Sequence, residues 1–179
     1  MRAFIALEIP DFIRTSVAKA LLGADARYGI KPIPPQNMHI TLEFLGEISE
    51  ETIPVISDII ASISAVKFDA AFGKISTFGA HSSVAFMGMV TGESEATAIR
   101  DFLHSKLSVL HGIKLEDREF FSHLSIARGR SRNLNSFAAG MSKTWSGSET
   151  FTISSLTLKR SILGSGNAKY ETIFVKELP

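Results

Sequence analysis

The chain has 179 residues, 45% hydrophobic and 21% charged, which suits a globular protein able to bury a core of its own. Its net charge is +1, so no global field draws in nucleic acid, and any anion site must be local. It has no cysteine, which excludes disulfides, thiolate catalysis and cysteine-based zinc sites.

The first ten residues are apolar but interrupted by Glu8 and Pro10, so they do not read as a signal peptide. No apolar run is long enough to span a bilayer. A cytoplasmic protein with no membrane partner is expected. Residues 2–9 predict a strand that is apolar on both faces and hence central. Pro10 and Asp11 open a helix that Asp11 can cap, with Phe12, Val17, Ala18, Leu21 and Leu22 as its inward stripe. Pro32, Pro34 and Pro35 stiffen the approach to His39.

Residues 39–46 (HITLEFLG) alternate with period 2, the mark of a half-buried strand. The alternation points Ile40, Leu42 and Phe44 to the core, and His39, Thr41 and Glu43 to the other face, where Glu43 reads as a plain exposed carboxylate. A helix from residue 49 carries Ile53, Ile56, Ile59, Ile60 and Ile63. Strands are expected at 66–72, 74–78 and 83–90, and a long helix at 93–111. His81, His104 and His111 have no patterned context and receive no role. Residues 123–128 (HLSIAR) then alternate as 39–46 do, with His123 and Ser125 outward. A short helix at 133–142, strands at 151–161 and 171–178, and a flexible loop at 163–169 complete the chain. Arg130 and Arg132 read as a solvated turn.

The order strand, helix, histidine strand occurs twice, over residues 2–46 and 83–130. This predicts one domain spanning 1–179, of α+β class. Two pseudo-two-fold-related lobes of mainly antiparallel sheet carry helices packed outside, and the histidine strands face each other across a central groove.

Imidazole titrates near neutral pH, so one histidine can accept a proton while another, already protonated, gives one. Opening a phosphodiester with water needs both acts, and two histidines about one phosphate supply them with no metal or other cofactor. The hydroxyls of Thr41 and Ser125 can donate to the non-bridging oxygens. Arg128 adds a cationic fork for the same oxygens. Of Phe120 and Phe121, alternation sends one to the core and leaves the other to stack on a base. Two titrating groups imply a bell-shaped dependence of rate on pH.

These residues resemble the two-histidine (2H) phosphoesterase superfamily, in its branch of LigT-like RNA 2′,3′-cyclic phosphodiesterases. The likeness is carried by residues 1–10 (MRAFIALEIP), 35–46 (PQNMHITLEFLG) and 118–128 (REFFSHLSIAR), and by Leu158, Lys159, Arg160 and Ser161 with Gly166 and Tyr170. It runs in order over nearly the whole chain. The resemblance implies opening of a terminal 2′,3′-cyclic phosphate on RNA to a 2′-phosphate. It makes His39 the proton donor to the leaving 3′ oxygen and His123 the acceptor from water. RNA 3′ ends or nucleotides bearing a cyclic phosphate are the implied partners, met by a monomer. Ser125 stands where the family usually has Thr, Ser122 and Glu119 where it usually has Pro, and Pro32 where many members carry an aromatic. These departures bear on substrate preference and on the approach to the second strand more than on chemistry. The same site also suits 2′,5′-phosphodiester cleavage or 2′,5′ RNA ligation, and a third reading is an RNA-end binding module without turnover.

Overall fold

A computed structural model describes residues 1–79, 81–117, 119–162 and 168–179. The strands are β1 (Arg2–Leu7), β2 (Lys31–Pro32), β3 (Ile40–Glu47), β4 (Phe68–Thr77), β5 (Val84–Thr91), β6 (His123–Arg128), β7 (Phe151–Ile153), β8 (Ser155–Ile162) and β9 (Lys169–Glu177). The helices are α1 (Asp11–Ala20), α2 (Ala24–Tyr28), α3 (Ile53–Ala61), α4 (Glu93–Leu107) and α5 (Ser131–Met141).

Strand β1 is apolar on both faces because both are covered: Ala3 through Leu7 are all buried, and the strand pairs with β3 on one side and β8 on the other. Along the sheet the order is β7-β4-β5-β6-β3-β1-β8-β9, with β2 added to β6. The pairings are antiparallel throughout. The order β5-β6-β3-β1 is the same from either end in one respect: each histidine strand lies inside, and the strand that opens its half lies outside. The sheet curls into half a barrel with helices outside. Helix α4 packs on β3, and α5 packs on β4 and β5.

Several boundaries differ from the sequence expectation. Asp11 is the first helical residue of α1 and bonds Arg14 Nη1 at 2.8 Å; it does not cap the helix. The buried stripe is Ile13, Val17 and Leu21, spaced by four, while Phe12 and Leu22 fall off that face and stay exposed. Strands 66–72 and 74–78 are one strand, β4, with an irregularity between Phe72 and Ile75. The expected strand 151–161 is two, β7 and β8. Helix α4 stops at Leu107, short of residue 111. The expected loop at 163–169, including Gly166, lies outside the described residues up to 167, as does Arg118.

Two β-bulges matter most. In the β1–β3 ladder Ile5 faces Glu43 and Ala6 faces Thr41, so Leu42 is an extra residue. The alternation of β3 therefore reverses after Thr41. Glu43, expected outside, is 4% exposed, and Phe44, expected in the core, is 48% exposed. In the β5–β6 ladder Phe86 faces Ser125 and Ala85 faces Ala127, so Ile126 is extra in the same way. Arg128 thereby returns to the face that carries Ser125. Phe44 and Arg128 each follow their histidine by the same interval, at equivalent places in the two halves.

Buried Glu43 is not left unpaired. Its Oε2 lies 3.0 Å from His104 Nδ1 and 3.3 Å from Arg100 Nε, both on α4. His104, which the sequence left without a role, thus helps tie α4 to β3. Glu43→Ala is expected to cost about 3 kcal/mol in urea unfolding, because it leaves the buried Nε of Arg100 and the His104 ring without their carboxylate, with Arg100 keeping only the exposed Asp101. A cost within about 0.5 kcal/mol, as for an ordinary surface substitution, would show the cluster to be incidental.

Candidate active site

Strands β3 and β6 meet at one pair, Ile40 opposite Leu124. Antiparallel pairing then sets His39, immediately before β3, across from Ser125, and Thr41 across from His123. All four side chains share one face, with the imidazoles on a diagonal. In a regular antiparallel ladder such a diagonal spans about 7–8 Å. His39, Thr41, His123, Ser125 and Arg128 all line one groove of about 1350 Å³. The residues picked from sequence are therefore brought together, from positions far apart in the chain.

His123 Nδ1 is 2.7 Å from the carbonyl of Phe121, two residues before it. The backbone of Asn37, two residues before His39, favours the charged form of that ring. The segment that delivers His39 is clamped as well: Pro35–Asn37 forms a single 3-10 turn, and Arg14 Nε donates to the Met38 carbonyl at 3.2 Å. Asn37 Nδ2 donates to the Ala168 carbonyl at 2.8 Å.

Each imidazole has aromatic walls. His39 stacks on Phe4 with centroids 4.8 Å apart and meets the Tyr170 ring edge-on at 5.3 Å. His123 meets Phe78 at 5.0 Å and Phe86 at 5.5 Å, and lies nearly parallel to Phe121 at 5.9 Å. Gly88, the register partner of His123, makes room for this: a Cβ there would stand 2.8 Å from Phe121 Cζ. Ser122, between Phe121 and His123, is buried, and its carbonyl accepts from Met89 N–H at 3.0 Å. Phe120 is partly buried against the core with the Arg100 guanidinium over its ring, while Phe121 is 42% exposed. Phe120 is thus the more buried of the two without being part of the core, and the face of Phe121 is turned to His123.

The electrostatics of the two halves differ. His39 is half-buried, and burial pushes its imidazole down to about 4. Lys159 and Arg14 push the same way, against Glu8 and the Asn37 backbone. Glu8 accepts from Thr157 Oγ1 at 2.8 Å and pairs with Lys159 at 2.6 Å and with Arg14. Burial raises the Glu8 carboxyl, yet the bonds from Lys159 and Thr157 outweigh it and hold the group below its ordinary value. Phe4, Glu8 and Phe44 were not picked out from sequence as parts of the site. The parity of β1 could have shown Phe4 and Glu8 on one face, but the Phe44 position depends on the bulge.

A groove in a curled antiparallel sheet, with two imidazoles and two hydroxyls on adjacent strands, is the architecture of a two-histidine phosphoesterase. Residues 10–85 match the family model described as LigT like Phosphoesterase. The chain is 32% identical over 182 residues to an RNA 2′,3′-cyclic phosphodiesterase of Archaeoglobus fulgidus, covering 99% of this chain and all of that one. It is 34% identical over 128 residues to the enzyme of the same name from Methanocaldococcus jannaschii, covering 72% and 71%. The crystal structure of E. coli LigT complexed with 3′-AMP shares its fold, with a TM-score of 0.82 at 21% identity over 99% of this chain and 97% of that one. The chain belongs to the LigT-like phosphoesterase family.

Proposed function

We propose that this protein hydrolyses 2′,3′-cyclic phosphates at RNA 3′ ends and on nucleosides to 2′-phosphomonoesters, without a metal. The observation that carries the reading is the single face shared by His39, Thr41, His123 and Ser125. His123 Nε2 takes a proton from water as its oxygen attacks phosphorus. The bond from phosphorus to the 3′ oxygen breaks, and His39 Nε2 gives that oxygen its proton. The Thr41 and Ser125 hydroxyls donate to the non-bridging oxygens, and Arg128 supplies positive charge beside them. On this reading residues 1–179 are one domain, with the two active-site strands supplied by like halves, 2–46 and 83–130. Among the described residues, no group of three His, Asp or Glu side chains is placed to hold a metal ion.

In-line attack sets the entering water and the leaving 3′ oxygen on opposite sides of phosphorus. The water stands by His123, so the nucleoside stands by His39. Phe44 lines the groove on that side, with its ring 6.3 Å from Phe4. We assign base stacking to Phe44; Phe121 instead orients His123.

The test is hydrolysis of a nucleoside 2′,3′-cyclic phosphate in EDTA, with the product isomer identified. Sustained turnover to the 2′-phosphate alone is expected. No turnover, activity restored only by a divalent ion, or a 3′-phosphate product would overturn the reading.

A further inference from the structure

Strand β2 is two residues long, and it sets Lys31 directly opposite Arg128 on β6. Like charges directly opposite on neighbouring strands destabilise the pairing. Among the described residues no carboxylate forms an ion pair with either cation. Both are exposed, and both line the groove. This end of the groove is otherwise walled by Pro32, Ile33, Pro34 and Val84, with no acid, whereas Glu43, Glu116 and Glu119 line it elsewhere.

Folding gains nothing from this opposed pair, but an anion seated between the two cations would. The bulge at Ile126 turns Arg128 onto the groove face, three residues past Ser125 and up to about 10 Å along the strand. The pair therefore reaches past the phosphorus that Ser125 and His39 flank. We propose that Lys31 and Arg128 form a second phosphate subsite, for the phosphate on the 5′ oxygen of the terminal nucleotide, with the Arg128 guanidinium standing between that phosphate and the cyclic one and Lys31 touching only the former. The inference rests on the cyclic phosphodiesterase reading and extends it to a substrate longer than a nucleoside. An ammonium and a guanidinium fork suit a phosphate oxygen set, whether a free 5′-phosphate or the diester to the rest of an RNA chain.

The experiment compares kcat/KM of the intact protein and Lys31→Ala on three substrates. These are a nucleoside 2′,3′-cyclic phosphate, its 5′-phosphorylated form, and a dinucleotide ending in a 2′,3′-cyclic phosphate. Lys31→Ala is expected to keep its rate on the first and lose roughly 10-fold on a substrate bearing the second phosphate, the size of one hydrogen bond to a charged group. Lys31→Arg restores it. Loss on the dinucleotide alone supports a subsite for the RNA diester, and loss on both supports one for either form. Equal loss on all three substrates, or none on any, would overturn the subsite. Failure of the unmodified protein on all three would instead remove the phosphodiesterase reading itself.

Discussion

Replacing His39 or His123 by alanine is expected to lower turnover of a cyclic phosphate by roughly 10²–10⁴-fold each, the usual size of a general acid or base contribution. The two act in one displacement, so the double variant should fall less than the product of the single effects. The fold should survive both changes. His39 and His123 are half-buried at the groove wall, and the core beneath them is made of Ile40, Leu124 and Ile126. Circular dichroism and unfolding midpoints separate a lost proton transfer from a lost fold. Near-normal turnover in either variant, properly folded, would remove that histidine from the mechanism.

The second large effect is in the titration of His39. Burial holds its imidazole at about 4. At pH 7 only about one molecule in a thousand then carries the proton that a donor must give. A bound phosphate anion supplies the negative charge that burial withholds. The charged and titratable groups around the ring are Glu8 just past β1, Arg14 on α1, Lys159 on β8 and Tyr170 on β9; of these Glu8 favours the charged form, and Lys159 and Arg14 oppose it. The His39 resonance followed by NMR should titrate near 4 in the free protein and rise when a 2′-nucleotide is bound. Binding near neutral pH should therefore take up a proton. The profile of kcat/KM, which reports the free protein, keeps a limb near pH 4, and in kcat the His39 limb moves upward. An unchanged His39 value on binding would contradict the donor role.

The same shift acts on stability, and its sign follows from linkage. The folded value lies below the ordinary 6.5, so the protonated form is disfavoured by folding. The contribution is present in full above pH 6.5 and is lost as pH falls from there through 4. Glu8, also held low, adds a loss that begins further down, below its ordinary 4.5.

Much of this site was legible in the sequence because period-2 alternation and a repeated His-x-Thr/Ser pattern are local signals. His39, Thr41, His123 and Ser125 follow from them directly. What alternation cannot carry is an extra residue in a ladder. The bulges at Leu42 and Ile126 reverse the faces that follow, which buries Glu43, exposes Phe44 and returns Arg128 to the groove. The partner that makes buried Glu43 tolerable, His104, lies on a helix 61 positions away and gives no local sign. The helix stripe on α1 was misread for a simpler reason: Phe12 and Leu22 are hydrophobic but lie off the face that Ile13, Val17 and Leu21 present to the core.

The most direct measurement is a crystal structure with a nucleoside 2′,3′-cyclic vanadate, whose five-coordinate vanadium imitates phosphorus in mid-displacement. The account places one apical oxygen against His39 Nε2 and the other against His123 Nε2, with the base on Phe44. Vanadium touching a single imidazole, or lying outside the groove between β3 and β6, would contradict it.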